Sequence, residues 1–163
     1  MFPTVPARVL VAALSIGLLA WPRAVTAELD APWFGTWRLD AENSTVRPGP
    51  SEYARTTLHI EPWAEGLKVS YDMVGTRGGR THIEWTGALD DADYPVQGVD
   101  SVMTNAYRRV DEQTYAITVK VDGRPVATTR VAVSGDGRTL TAVTSERDAA
   151  GRTLTATAVY DRQ

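Results

Sequence analysis

The sequence predicts an all-β protein, an antiparallel up-and-down β-barrel of about eight to nine strands. Segments in which apolar and polar residues alternate recur about every 8 to 14 residues, the period of half-buried strands. Clusters of Gly, Asp and Pro separate these segments, and nothing after residue 27 keeps a helical period over three turns. Short hairpins without a long crossover favour a barrel over a sandwich.

The predicted strands, in chain order, cover residues 36–39, 54–60, 67–74, 80–89, 101–110, 114–121, 124–133, 139–146 and 152–160. Asp122-Gly123 is the firmest turn between them, because both central residues of such a two-residue hairpin take positive φ. Gly78-Gly79, Asp136-Gly137 and residues 148–151 indicate further hairpins.

Two connections are too long for tight hairpins. Residues 41–53 include Pro48-Gly49-Pro50, and residues 90–100 include Tyr94-Pro95 and Gly98. In a small barrel such loops either border the mouth or are plain surface connections, and the sequence favours neither.

Residues 1–27 have the three regions of a cleaved signal peptide. Arg8 precedes an apolar stretch over 9–20, and Val25-Thr26-Ala27 offers small residues for cleavage. The stretch is shorter than the roughly 20 residues that span a bilayer, so an uncleaved anchor is disfavoured. We expect a periplasmic or secreted protein that begins at Glu28, with residues 28–163 as one domain and no membrane span after cleavage.

Composition excludes several function classes. The chain has no Cys, which rules out disulfides, thiolate chemistry and Cys-ligated metals. Its formal net charge is −3, and loss of a leader that carries only basic charges makes it more negative. A nucleic-acid partner is therefore not expected, because phosphate neutralisation needs a basic face.

Two segments carry a resemblance. Gly35-Thr36-Trp37-Arg38-Leu39 resembles the Gly-x-Trp signature of lipocalins and the wider calycin group, and Val159-Tyr160-Asp161-Arg162 is similar to their last strand. Nearly all of residues 28–163 resembles small exported bacterial lipocalin-like proteins. The resemblance implies a barrel with structural roles for Gly35, Trp37 and Arg162, in which Arg162, or failing that Arg130, packs across Trp37 and closes the barrel bottom.

Alternation assigns a large, aromatic inward set, which fits either a packed core or an apolar pocket with orienting Tyr hydroxyls. In 101–110, Asn105, Tyr107 and Arg109 share one face. If that face is inward, Arg109 could receive a ligand carboxylate, as the resemblance to fatty-acid-carrying barrels implies; otherwise it is an outer face. The predicted ligand-binding residues are Tyr71, Met73, Trp85, Asn105, Tyr107, Arg109, Tyr115 and Ile117.

Metal and catalytic sites have weaker support. His59 and His82, each followed two residues later by Glu, would form a metal site only if they converged across the sheet, and alternation places both on the outer face. Asp90, Asp91, Asp93 and Asp100 lack EF-hand spacing and favour a solvated loop over a calcium site. We assign no catalytic residue, metal ligand or cofactor.

The sequence favours an exported barrel that binds a small apolar or amphipathic molecule in its interior. Two alternatives stay open. One is a barrel enzyme of isomerase or cyclase type that uses Tyr71, Tyr107 or Arg109 in a dry pocket. The other is an envelope protein-interaction module that recruits a partner through a sheet edge or outer face. The oligomeric state is not predicted.

Overall fold

The computed structural model describes residues 31–45, 53–64, 66–148 and 150–163, so the predicted signal peptide lies outside the described residues. Within these ranges the chain forms ten strands: β1 (Gly35–Thr45), β2 (Tyr53–Trp63), β3 (Gly66–Gly75), β4 (Arg80–Gly87), β5 (Asp90–Gln97), β6 (Met103–Arg109), β7 (Thr114–Val121), β8 (Arg124–Val133), β9 (Thr139–Arg147) and β10 (Thr153–Arg162).

The ten strands close into one barrel. Each strand pairs antiparallel with the next one in sequence, and β1 pairs antiparallel with β10 to complete the circle. At this closure Trp37 lies opposite Arg162 and Leu39 opposite Tyr160. The predicted antiparallel up-and-down barrel is confirmed, with ten strands in place of eight or nine.

The additional strand is β5, which occupies most of the predicted loop 90–100. Tyr94 and Val96 are partly buried and pack against the core, whereas the aspartates around them are exposed. Asp and Pro are depleted in strands, and here they conceal this alternation. β1 also continues to Thr45, so the predicted connection 41–53 begins with strand.

The firmest predicted turn has the expected geometry. Asp122 and Gly123 have φ values of 48° and 74°, and the flanking Val121 and Arg124 are paired across the hairpin. Positive φ at both central residues matches the right-handed twist of the flanking strands. The prediction for this hairpin is confirmed.

Candidate functional site

Residues directly opposite one another in neighbouring antiparallel strands share a face of the sheet, so rows of paired residues trace the barrel interior. One row crosses Trp37, Leu58, Tyr71 and Ile83. Trp37 and Leu58 are at most 1% exposed, whereas Tyr71 and Ile83 are partly accessible. Because strands tilt against the barrel axis, such a row climbs from one end to the other. The interior is therefore packed at one end and accessible at the other.

A second row shows the same change. Ile60, Val69 and Trp85 are at most 2% exposed, and the row ends on a partly accessible Val96. Tyr107 and Ile117 begin a third row, which continues through partly accessible Thr129, Thr144 and Ala156. Three independent rows thus divide the interior into two halves.

The closed half of the barrel is a continuous core. Its members are Trp33, Trp37, Leu58, Ile60, Leu67, Val69, Trp85, Tyr107, Tyr115, Ile117, Val131, Val133, Leu140 and Tyr160, each at most 7% exposed. Aromatic rings run through it: Trp85 stacks on Tyr107 with centroids 3.8 Å apart, Tyr107 stacks on Tyr115 at 5.5 Å, and Trp33 meets Tyr115 edge-on at 5.5 Å. Such ring pairs contribute about 0.5–1.5 kcal/mol each beyond burial.

Arg162 closes the end of this half. Its guanidinium lies 4.2 Å from the ring centroid of Trp37, and its Nη1 donates to the Phe34 carbonyl at 2.7 Å. A Cβ at Gly35, whose φ is +135°, would lie 2.7 Å from the same Nη1. Gly35 therefore leaves the space through which Arg162 reaches across Trp37, the contact that the lipocalin resemblance implies.

The open half is lined by inward residues that remain partly accessible. They are Leu39, Tyr71, Met73, Ile83, Val96, Asn105, Val119, Thr129, Ala142, Thr144, Ala156 and Ala158. Large apolar side chains from β3 to β7 face mostly Ala and Thr from β8 to β10. Small side chains occupy less of the interior than large ones, and the diameter of a barrel grows with its number of strands.

Polar groups in the open half are few and distinct. Burial raises the pKa of the Tyr71 phenol to about 12, and part of the Tyr71 side chain remains accessible. The Oδ1 of Asn105 is buried and accepts no hydrogen bond from the described residues. Thr129 and Thr144 join their hydroxyls at 2.9 Å.

The neighbouring phenols are even more shielded. Burial, and next the nearby Tyr71, raise the pKa of Tyr107 well above its ordinary value, and burial followed by Tyr107 does the same for Tyr115. All three phenols stay protonated at neutral pH. In a binding site Tyr71 is consequently a hydrogen-bond donor and not a base.

Similarity to known proteins is found among solved structures. No protein-family model matches the chain, and no curated protein matches it. Among solved structures, the chain is similar to a protein reported under "The Siderocalin Ex-FABP functions through dual ligand specificities", with 12% identity, a TM-score of 0.37, and coverage of 81% of this chain and 71% of that one. At this level of similarity nothing about the ligand of this chain follows from the other protein.

The structure separates the predicted ligand-binding residues into two groups. Tyr71, Met73 and Asn105 lie in the open half. Trp85, Tyr107, Tyr115 and Ile117 lie in the closed half, where they are at most 6% exposed and contact other core side chains. Alternation correctly identifies the inward face of these strands but carries no information on height along the barrel axis.

Arg109 lies away from the open half. It is exposed, opposite Tyr115, and its guanidinium is 5.4 Å from the ring centroid of Trp33 at the closed end. The expected ligand contact of Arg109 is conditional on an inward face, and in the structure Arg109 lies outside the open half. Its strand ends at Arg109, so the side chain passes over the barrel end. Of the three residues that the enzyme alternative names, Tyr71 and Tyr107 are inward and Arg109 lies at the closed end.

Trp33 is a core residue that the sequence reasoning missed. It is fully buried, and its carbonyl accepts a hydrogen bond of 2.9 Å from the Trp37 indole. It precedes β1 and therefore lies outside the alternating pattern. The apolar pair Trp33-Phe34, with Trp33 four residues before Trp37, was the available signal.

Both histidines lie on the outer face, as alternation predicts. They converge on Asp72: His82 Nδ1 lies 2.8 Å from Oδ1 and His59 Nε2 lies 3.5 Å from Oδ2. Within the described ranges, no group of three His, Cys, Asp or Glu residues is placed to hold a metal ion. Asp93 pairs with Lys120 at 2.8 Å, so this part of the acidic segment 90–100 forms a surface ion pair.

Two further findings bear on partners. The barrel is closed, which removes the free sheet edge that one form of the interaction-module alternative needs. In the described part of the chain, no helix is long and apolar enough to cross a membrane.

Proposed function

We propose that this protein is a lipocalin-like carrier that binds one small amphipathic molecule in the open half of its barrel. The observation that carries the proposal is the change from buried to accessible inward residues along three separate rows. Accessible side chains that face inward line a space, and an apolar concave space with a few polar groups is the usual form of a ligand site.

The lining favours an amphipathic ligand. Met73, Ile83, Val96 and Val119 offer apolar contact, which stabilises a bound molecule by about 25 cal/mol for each Å² of apolar surface removed from water. The protonated Tyr71 phenol is a donor for a ligand oxygen. A ligand with an apolar body and one or two hydroxyl or carbonyl groups fits this set.

Binding of the fluorescent probe N-phenyl-1-naphthylamine tests the proposal. Ala156→Phe places a ring inside the open half, opposite Thr144. We expect bright probe fluorescence with the wild type and at least about tenfold weaker binding with the variant, a change of about 1.4 kcal/mol. Ala156→Leu should give an intermediate loss and guards against misfolding of the larger variant.

Thr155→Phe is the matched control, because Thr155 is exposed on the outer face of the same strand. Its binding should stay within about twofold of the wild type. Absence of probe binding by the wild type, or an equal loss in Thr155→Phe, would contradict an interior site. If the wild type binds the probe and the variants behave as expected, native mass spectrometry of protein purified from its own cells would identify the physiological ligand by its mass.

Export is part of the same proposal. Residues 1–27 are proposed to direct the chain across a bacterial cytoplasmic membrane and to be removed before Glu28. Intact-mass measurement of the protein from periplasm and culture medium tests this. A chain that begins at Glu28 is the expected result, and a full-length chain retained in the cytoplasm is the opposing one.

A further inference from the structure

A groove on the outer face of the barrel contains a concentration of positive charge. It has a volume of about 580 Å³, spans β1 to β4, and its polar lining comprises Arg38, Arg55, Thr57, Asp72, Arg80 and His82, together with Thr81. Met73 and Val74 also line the groove, and Met73 is one of the inward residues of the open half, so the two spaces adjoin at β3. The arginines belong to rows on the outer face, and the inference drawn from them does not rest on the carrier proposal.

The strand register brings the arginines together. Arg38, Thr57, Asp72 and His82 are paired in one row across four strands. In the next row Arg55 and Arg80 are both paired with Val74 and flank it. Neighbouring strands lie about 4.8 Å apart, so the backbones of Arg55 and Arg80 are about 10 Å apart. Their long side chains can converge on one group above Val74.

Among the described residues, Arg38, Arg55 and Arg80 form no ion pair with a carboxylate, whereas several arginines outside the groove do. Arg108 pairs with Asp91, Arg130 with Asp111 and Arg152 with Asp148.

The one carboxylate in the groove lining is already engaged. Asp72 contacts His82 through one oxygen and His59 through the other. Outside the lining, Asp161 of β10 lies opposite Arg38, but no carboxylate of the lining forms an ion pair with Arg55 or Arg80. These two arginines repel each other, and an anion in the groove would relieve that repulsion.

A fourth arginine extends the positive surface. An adjoining cavity of about 350 Å³ shares Arg80 and Thr81 with the groove and adds Arg77 from the β3–β4 turn. The whole chain has a net charge of −3, so this concentration of arginine is opposite in sign to the rest of the molecule. Size and charge together exceed what a single carboxylate needs.

We propose that this groove binds the phosphate group of a phosphorylated molecule. A guanidinium presents donors in a fixed fork that matches two oxygens of a phosphate, and a phosphomonoester carries close to two negative charges with three acceptor oxygens. Arg55 and Arg80 hold the phosphate from two sides, and Arg38 and the Thr57 hydroxyl contact it from the neighbouring row.

The first experiment measures binding of pyrophosphate to the mature chain by isothermal titration calorimetry. The double variant Arg55→Gln/Arg80→Gln should bind at least about tenfold more weakly, because it loses two guanidinium forks. The control Arg124→Gln/Arg138→Gln removes the same charge from two exposed positions and should stay within about twofold of wild type. Both groove residues are exposed, so the variants should fold normally.

A second arm distinguishes the source of the phosphate. Sedimentation with phosphatidylcholine vesicles that contain phosphatidic acid, against phosphatidylcholine alone, reports binding to a lipid headgroup. Groove-dependent binding to either probe supports the site and assigns its source as soluble or lipid. Failure of both probes with the wild type, or equal binding by the groove and control variants, overturns the proposal.

Discussion

Single residues at the closed end hold several elements at once, and Arg162 is the main example. It stacks on Trp37 and donates through Nη1 to Phe34 and through Nε to the Gly137 carbonyl, so it connects the segment before β1, the β8–β9 turn and β10. Arg162→Ala should lower the free energy of unfolding by about 2–4 kcal/mol. Arg162→Lys should recover only a small part of this, since one ammonium cannot reproduce the planar fork.

Urea unfolding followed by Trp fluorescence measures these changes. Arg124→Ala, at the exposed first residue of β8, is the control and should change stability by no more than about 0.5 kcal/mol. A loss below about 1 kcal/mol in Arg162→Ala would mean that the closing contact is dispensable for stability.

The tyrosines predict a loss of stability at alkaline pH. Burial raises the pKa of Tyr71 to about 12 and also raises the pKa of Tyr107, Tyr115 and Tyr160 above its ordinary value, whereas an unfolded tyrosine ionises near pH 10. A raised folded pKa contributes stability that is fully present below pH 10 and is lost as pH rises toward the folded value.

We therefore expect unfolding free energy to be insensitive to these phenols up to about pH 10 and to fall steeply between about pH 10 and 12. Absorbance at 295 nm should show the four phenols ionising together with loss of the near-ultraviolet circular dichroism signal. Reversible ionisation of all four near pH 10 in a folded protein would contradict their burial.

Among the elements, the β4–β5 pairing is the weak point of the wall. Only Glu84–Gln97 and Trp85–Val96 are paired there. Gly98 follows immediately with φ of +83°, and a Cβ on it would lie 2.1 Å from the His82 carbonyl oxygen. Gly98 is thus the position at which β5 approaches β4 too closely for any side chain.

Gly98→Ala should cost at least about 2 kcal/mol, because it combines a strained φ with a clash against backbone. Gly79→Ala, in the β3–β4 turn with no neighbour within 4 Å and no positive φ, is the control and should be neutral or stabilise by up to about 1 kcal/mol. Urea denaturation measures both variants. Equal stability of the two variants would show that the backbone adjusts at Gly98 without a loss of unfolding free energy, which contradicts the expected clash.

At the scale of the whole molecule, alternation and turn residues were sufficient to predict the barrel. Strand β5 was not predicted, because Asp and Pro interrupt its β-rich composition. Its inward residues Tyr94 and Val96 nevertheless follow the period of two. The cluster of groove arginines was not predicted for a different reason. Arg38, Arg55 and Arg80 are ordinary outward residues on three strands, and only the register shows that they are neighbours.

The sequence predicted which residues of the candidate site face inward, but not where along the barrel axis each of them lies. Tyr71 and Tyr107 are both inward tyrosines on predicted strands, yet one lies in the open half and the other is 1% exposed in the core. The difference arises from strand tilt and from which residues lie across the interior. Neither property is local, so neither can be read from a single strand.

The division into halves predicts how the barrel opens. Backbone amides beside the packed closed half, such as those of Val69 and Ile117, should exchange with solvent only through global unfolding, because their strands cannot separate without exposing the aromatic core. Paired amides farther along the same strands, at Met73 and Val119, belong to residues whose own side chains are partly accessible, and they should exchange through local openings.

Residue-resolved hydrogen exchange by NMR tests this gradient. We expect protection in the closed half to exceed that in the open half by at least about a hundredfold, equivalent to about 2.7 kcal/mol of opening free energy. A molecule bound in the open half should raise protection there selectively, since it replaces the contacts that the small residues of β8 to β10 do not supply. Uniform protection along β3 and β7 would instead mean that the barrel opens as one unit. The open half would then be no easier to open than the closed half, which contradicts the prediction.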